Sequence, residues 1–196
     1  MILNQVEFAM MNNPVRAWIQ RNVEATRMLR MGGAIRGGQA LEIGCGRGIG
    51  VEIILDKFAA GAVDAFDLDG RMVALASRRL KNREQVRLWV GDCTAIPVKD
   101  ATYDAVFNFG IIHHVPDWRA ALREVARVLK PGGRFYAEEV LDRFITHPMA
   151  RQFLDHPQSD RFGARAFQRG MQEFGLELNG AETLGEVFAW FLAVKP

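Results

Sequence analysis

The densest chemical signal in the chain is Leu41-Glu42-Ile43-Gly44-Cys45-Gly46-Arg47-Gly48-Ile49-Gly50, where glycine falls at every second position after a carboxylate. Glycine permits a tight turn, positive φ and close approach of a ligand to the backbone. The stretch follows a short apolar run and precedes a helical pattern. A helix opening there aims its first N–H groups and its positive dipole end at an anionic group, either phosphate or carboxylate. The dinucleotide fingerprint G-x-G-x-x-G/A fails, because its third position is Ile49 counted from Gly44 and Val51 counted from Gly46. No G-x-x-x-x-G-K-S/T occurs, which excludes a P-loop. A second candidate is the pair His113-His114, whose imidazoles titrate near neutrality and suit a general base. The alternative is that one packs in a loop and the other is solvated. Adjacent histidines do not readily share one metal, and His147 and His156 lack a ligand spacing, so no metal is expected.

These residues need elements to position them. Residues 1–38 read as an amphipathic helical segment, with Phe8, Met11, Trp18, Ile19, Val23 and Met28 apolar and Arg16, Arg21, Glu24, Arg27 and Arg30 between them. Pro14 breaks or starts a helix there. Strand and helix signals then alternate. Strands are expected at 40–43, 62–68, 86–90, 103–108 and 134–140, and helices at 49–58, 72–80 and from a cap at Asp117 through Leu129. Lys130-Pro131-Gly132-Gly133 reads as a turn that stops the last of these helices. A helix over 164–174 and two strands over 176–183 and 187–194 complete the pattern as a C-terminal hairpin. Repeated strand–helix–strand units mean a parallel sheet with helices on both faces.

The chain has 196 residues, 49% hydrophobic and 24% charged, which is the composition of one soluble domain. The expected organisation is a single domain over 1–196, with an N-terminal helical cap (1–38), a binding core (39–140), a lid (141–163) and a helix plus hairpin (164–196). Net charge of +2 gives no argument for nucleic acid or an anionic membrane surface. Two cysteines, Cys45 and Cys93, make no disulfide framework and suit a reducing compartment. The start lacks a basic signal region, and no apolar run approaches the roughly 20 residues that cross a bilayer. A cytoplasmic protein is expected.

Taken together, these motifs resemble the class I S-adenosylmethionine-dependent methyltransferases. Glu42, Gly44, Gly46 and Gly48 match that family's acidic-x-Gly-x-Gly-x-Gly motif. Ala65-Phe66-Asp67-Leu68-Asp69 matches the end of its second strand, Val90-Gly91-Asp92-Cys93 the end of its third, and Tyr103-Asp104-Ala105-Val106-Phe107-Asn108 its fourth strand. Arg127 to Gly133 matches the turn before the fifth. The resemblance covers about residues 39–140 in order and implies a Rossmann-like, doubly wound, mostly parallel seven-stranded α/β sheet with a C-terminal antiparallel hairpin. It implies S-adenosylmethionine as cofactor, bound by Glu42, Gly44, Cys45, Gly46, Gly48, Asp67, Leu68, Asp92, Cys93 and Asn108. Asp67 would accept from the ribose hydroxyls, each such charged hydrogen bond contributing roughly 1.5–3 kcal/mol. Asp92 and the Cys93 N–H would face adenine, and Glu42 would meet either the glycine-turn amides or the methionine ammonium.

Several acceptors are argued down by what is absent. Asn108-Phe109-Gly110-Ile111 is not the D/N-P-P-Y/F of nucleobase amino-methylation, and neither cysteine follows a proline as cytosine C5 chemistry requires. Basic stripes with interleaved aromatics are missing, which disfavours nucleic acid. If both segments outside the core fold over the sheet edge, Phe8, Met11, Trp18, Phe144, Phe153 and Phe162 would line an apolar pocket for a small, lipid-like acceptor. Glu138 and Glu139 end the fifth strand, where one faces the acceptor or both form salt bridges. Two other readings stand beside the enzyme: a cofactor-binding but non-catalytic partner or regulatory subunit, and a nicotinamide-dependent oxidoreductase, which fails on glycine spacing.

Overall fold

The structure, a computed structural model, describes residues 13–142 and 161–196. Expectations for Phe8, Met11, Phe144, Phe153 and most of the lid lie outside the described residues. The chain begins with α1 (Pro14–Ile19), where Asn13 accepts from the Arg16 N–H and proline occupies the first turn. One π-helical turn, Gln20–Glu24, joins it to α2 (Ala25–Gly32). The alternating part follows as β1 (Gln39–Ile43), α3 (Ile49–Asp56), β2 (Ala62–Asp67), α4 (Gly70–Arg79), β3 (Val86–Val90), β4 (Tyr103–Phe109), α5 (Trp118–Val128) and β5 (Leu129–Val140). Then come α6 (Ala164–Glu173), β6 (Glu177–Leu184) and β7 (Phe188–Val194).

The seven strands run in the order β3-β2-β1-β4-β5-β7-β6. The first five are mutually parallel, and β7 is antiparallel to both β5 and β6. The expected sheet and its hairpin are therefore present. Asp117 accepts from the Ala120 N–H at 2.9 Å and caps α5, as its position suggested. One expectation changes: α5 ends at Val128 before the Lys130–Gly133 turn, and Leu129 already pairs with Tyr103. The glycines form an irregularity inside β5, where Gly132, at φ +76, donates to Lys195 O.

Apolar residues cover both faces of the sheet. On one face Phe107 stacks on Tyr136 with ring centroids 4.7 Å apart, and Phe58 meets both rings edge-on. On the other, Trp118 packs on Phe162 at 5.0 Å and on Phe167. Phe162 is thus core, and Trp18 is 61% exposed; among the described residues neither lines the cavity over the glycine turn. An ideal Cβ on Gly170 would fall 2.5 Å from Trp118 Cζ3, and that indole is fully enclosed. Gly170→Ala is expected to cost about 1–3 kcal/mol, measured as a fall in thermal midpoint. No helix of the described residues is long and apolar enough to cross a membrane.

Candidate active site

The sheet order reverses at β1, whose neighbours are β2 and β4. Helices leave to opposite faces there, and a crevice opens at the carboxyl ends of the strands. The glycine turn sits at that crevice. Gly44, Gly46 and Gly48 have φ of +71, +51 and +86, the left-handed region in which side chains are strained. Gly44 also has no room: its Cβ would lie 2.3 Å from Ile111 Cγ1. The turn is held by Asp67, whose Oδ2 accepts from Gly46 N–H and whose Oδ1 accepts from Asp69 N–H, both at 2.9 Å. Burial raises the Asp67 carboxyl, and these two amides oppose that rise.

Glu42 points from β1 beneath the turn and is 1% exposed. It accepts from the Val51 N–H at the start of α3. A Cβ on Gly50 would lie 1.8 Å from Glu42 Oε1, so glycine at this helical position makes room for the carboxylate. Glu42 Oε2 is fully enclosed and has no hydrogen-bond partner among the described residues. Burial first, and the Asp67 charge second, push its carboxyl well above the usual range. A buried acceptor left unpaired costs about 1–3 kcal/mol, so this oxygen marks a place for a missing donor.

A cavity of about 380 Å³ opens over these groups. Of the residues singled out from sequence, it is lined by Glu42, Gly44, Cys45, Gly46, Asp67, Leu68, Asp92, Cys93 and His114. Asp92 Oδ1 accepts from the Thr94 N–H and hydroxyl, both at 2.8 Å, which orients the carboxylate in an Asx turn. Both thiols are buried; burial pushes Cys93 up to about 12 and Cys45 higher still. Neither is a nucleophile near neutral pH. Asp69, another lining carboxylate, is taken by Arg71 and by the cap of α4.

Three of the singled-out residues are not in the cavity wall. Gly48 caps α3 against Leu80 and Ala76. Asn108 is fully buried: its amide donates to Glu138 O at 3.1 Å and Glu139 Oε1 at 2.6 Å, and its carbonyl accepts from Ile111 N–H. It braces the loop after β4 instead of facing a ligand. His113 Nδ1 lies 2.7 Å from Glu139 Oε2, and that carboxylate also accepts from the Ile112 and His113 amides. Burial still pushes the Glu139 carboxyl up to about 8. His114 stacks on His113 with centroids 4.2 Å apart and faces the cavity.

The wall also holds residues that sequence reading did not single out as site residues. Arg16, Ala17 and Gln20 reach it from the N-terminal helical segment, and Phe109, Gly110 and Pro116 from around the histidines. Arg16 and Gln20 are polar positions of an amphipathic helix, and that pattern reads equally as a solvated face.

A sheet of this order, with a glycine turn after the first strand and acidic residues closing the second and third, defines the class I methyltransferase fold. Residues 41–137 match the family model described as a methyltransferase domain. These residues, about half of the chain, make up a methyltransferase domain. The chain is 32% identical over 123 residues to a fatty-acid O-methyltransferase of Mycolicibacterium smegmatis, covering 63% of this chain and 44% of that protein. It is 34% identical over 124 residues to a demethylmenaquinone methyltransferase of Staphylococcus aureus, covering 62% and 51%. The match thus spans about half the length of these relatives. Among solved structures it is similar to a chain of the complex between the Haloferax volcanii Trm112 methyltransferase activator and a methyltransferase. That likeness has a TM-score of 0.79, 19% identity, and coverage of 97% of this chain and 98% of that one.

Proposed function

We propose that this chain transfers a methyl group from S-adenosylmethionine to a small apolar acceptor. The observation that carries the reading is the enclosed, unpartnered Glu42 Oε2 in the wall of the cavity that Asp67 also lines. The donor is a cation with an ammonium group and a ribose diol, and these two carboxylates suit both. Glu42 would hold the ammonium, Asp67 the ribose hydroxyls, and Asp92 with the Cys93 N–H the adenine edge. Gly44, Cys45 and Gly46 offer backbone to the amino-acid arm, and Leu68 an apolar wall. When bound, S-adenosylmethionine supplies a methyl on a positively charged sulfur, open to in-line displacement. What remains for the protein is to align an acceptor and exclude water.

The N-terminal segment acts as the cap over this site, since Arg16, Ala17 and Gln20 already line it. Of the two histidines, His114 would take a proton from an acceptor, a reading supported by its position in the cavity wall, while His113 is held by Glu139. His114→Asn is expected to lower kcat by about 100-fold for an acceptor that must lose a proton, with unchanged donor affinity. An equal loss of donor affinity would contradict that role.

The apolar acceptor is supported by the two relatives, whose names specify fatty acid and demethylmenaquinone. The test uses methyl-labelled S-adenosylmethionine with a long-chain fatty acid and a demethylated naphthoquinol as probes. Label extracted into organic solvent with either probe supports the reading. Donor binding without transfer to either would overturn the acceptor class and favour the non-catalytic reading.

A further inference from the structure

We infer that Arg127 and Glu124 are positioning residues for adenine recognition: from α5 they clasp the β3–β4 connection so that Asp92 and the Cys93 N–H meet the base edge. The inference rests on the cavity being the S-adenosylmethionine site. Neither Arg127 nor Glu124 lines that cavity, so both act through the loop they hold.

The loop needs holding. It runs over residues 91–102 and contains no helix or strand. Asp92 and Cys93 stand near its start, and both line the cavity. Asp92 is exposed, and its own bonds are local: Oδ1 accepts from the Thr94 N–H and hydroxyl, and its carbonyl accepts from the Ala95 N–H. An Asx turn of this kind shapes a loop without anchoring it. Reading a base edge requires groups fixed in advance by a supporting layer of packing and hydrogen bonds.

The anchor is α5. Ile96 is gripped at both backbone groups: its N–H donates to Glu124 Oε2 and its carbonyl accepts from Arg127 Nη2, both at 2.8 Å. Arg127 Nη1 donates to the Val98 carbonyl and to Asp100 Oδ1, again at 2.8 Å. Arg127 Nε and Nη2 close on the two Glu124 oxygens, each at 2.8 Å. All five guanidinium donors are used, in a planar fork that an ammonium does not copy. These hydrogen bonds hold the Glu124 carboxyl below its usual value, so the pair stays ionised at neutral pH. Among the described residues, the hydrogen bonds that other elements make to residues 93–99 all come from these two side chains. Cys93 and Ile96 are also buried in the core cluster that contains Leu122 and Val125 of α5. Clasp and packing therefore tie the same stretch of loop to the same helix, and that helix sets where Asp92 stands.

The test titrates S-adenosylhomocysteine and S-inosylhomocysteine into the wild-type chain and into Arg127→Ala, Arg127→Lys, Glu124→Gln and Gly170→Ala. The two ligands differ only at the base edge, where inosine sets a carbonyl in place of the adenine amino group. Wild type should prefer the adenosine ligand by about 100-fold. Arg127→Ala should narrow that preference to about tenfold or less. Arg127→Lys and Glu124→Gln each keep part of the clasp and should narrow it by less. In Arg127→Ala, 5′-methylthioadenosine, which keeps the adenosine but lacks the amino-acid arm, should weaken by the same factor as S-adenosylhomocysteine. Gly170→Ala disturbs packing against Trp118 and Leu122 of α5 without touching the clasp, so it should lower the thermal midpoint and keep the full preference. An unchanged preference in Arg127→Ala, or in both milder variants should that chain not fold, would overturn the inference. So would an equal narrowing in Gly170→Ala. Wild-type protein that binds neither ligand would overturn the site itself, and equal binding of both would overturn the adenine role of Asp92. A wild-type preference that survives loss of the clasp would overturn only this inference.

Discussion

Glu42→Gln is expected to weaken S-adenosylhomocysteine binding by about 10- to 100-fold without lowering the thermal stability of the empty protein. The two effects have different origins. Binding loses a charge-assisted contact with the ammonium, worth about 1.5–3 kcal/mol. Folding loses only a desolvated acid with one unpartnered oxygen, while glutamine can keep the Val51 contact. The sign follows from linkage. The Glu42 carboxyl is raised in the folded state, so it binds protons on folding and its contribution to stability falls as pH rises. Removing it therefore costs the empty protein less and less as pH rises. The same shift makes ligand binding pH-dependent: an ammonium drives Glu42 to ionise, so binding releases protons and affinity rises with pH toward the raised value. Calorimetry in buffers of different ionisation enthalpy measures that release. Proton uptake on binding, or a variant that binds as tightly as wild type, would contradict the role of Glu42.

The second large effect is that of Asp67→Ala. Both Asp67 oxygens accept backbone amides, one from the glycine turn and one from the start of α4. Each oxygen has a further lone-pair site for a ribose hydroxyl. The substitution removes the ribose contacts and frees the turn together, so donor affinity should fall at least about tenfold. Unlike Glu42→Gln, it should weaken methylthioadenosine as well, because that ligand keeps the ribose. Unchanged binding of both ligands would remove Asp67 from the site.

The contrast between these residues explains what the sequence could show. A glycine turn is legible because backbone geometry leaves few substitutes: Gly44 has both positive φ and no space for a Cβ. Asp67 and Asp92 are legible because each closes a clear apolar strand. Asn108 reads the same way, yet its side chain turns to Glu139, and one-dimensional pattern does not show which way a strand-end amide turns. Trp18 fits an α-helical apolar stripe, but the π-turn that follows shifts the helix phase, and Trp18 faces out. Arg16 and Glu138 lie 122 positions apart in the chain, and only the folded sheet and cap bring them together.

The measurement closest to the central claim is calorimetric titration of the wild-type chain with S-adenosylmethionine, S-adenosylhomocysteine and NAD in parallel. Saturable micromolar binding of the first two, with none of NAD, is the predicted result. Binding of NAD with neither methyl-donor ligand would contradict it, and with it the roles given to Glu42 and Asp67.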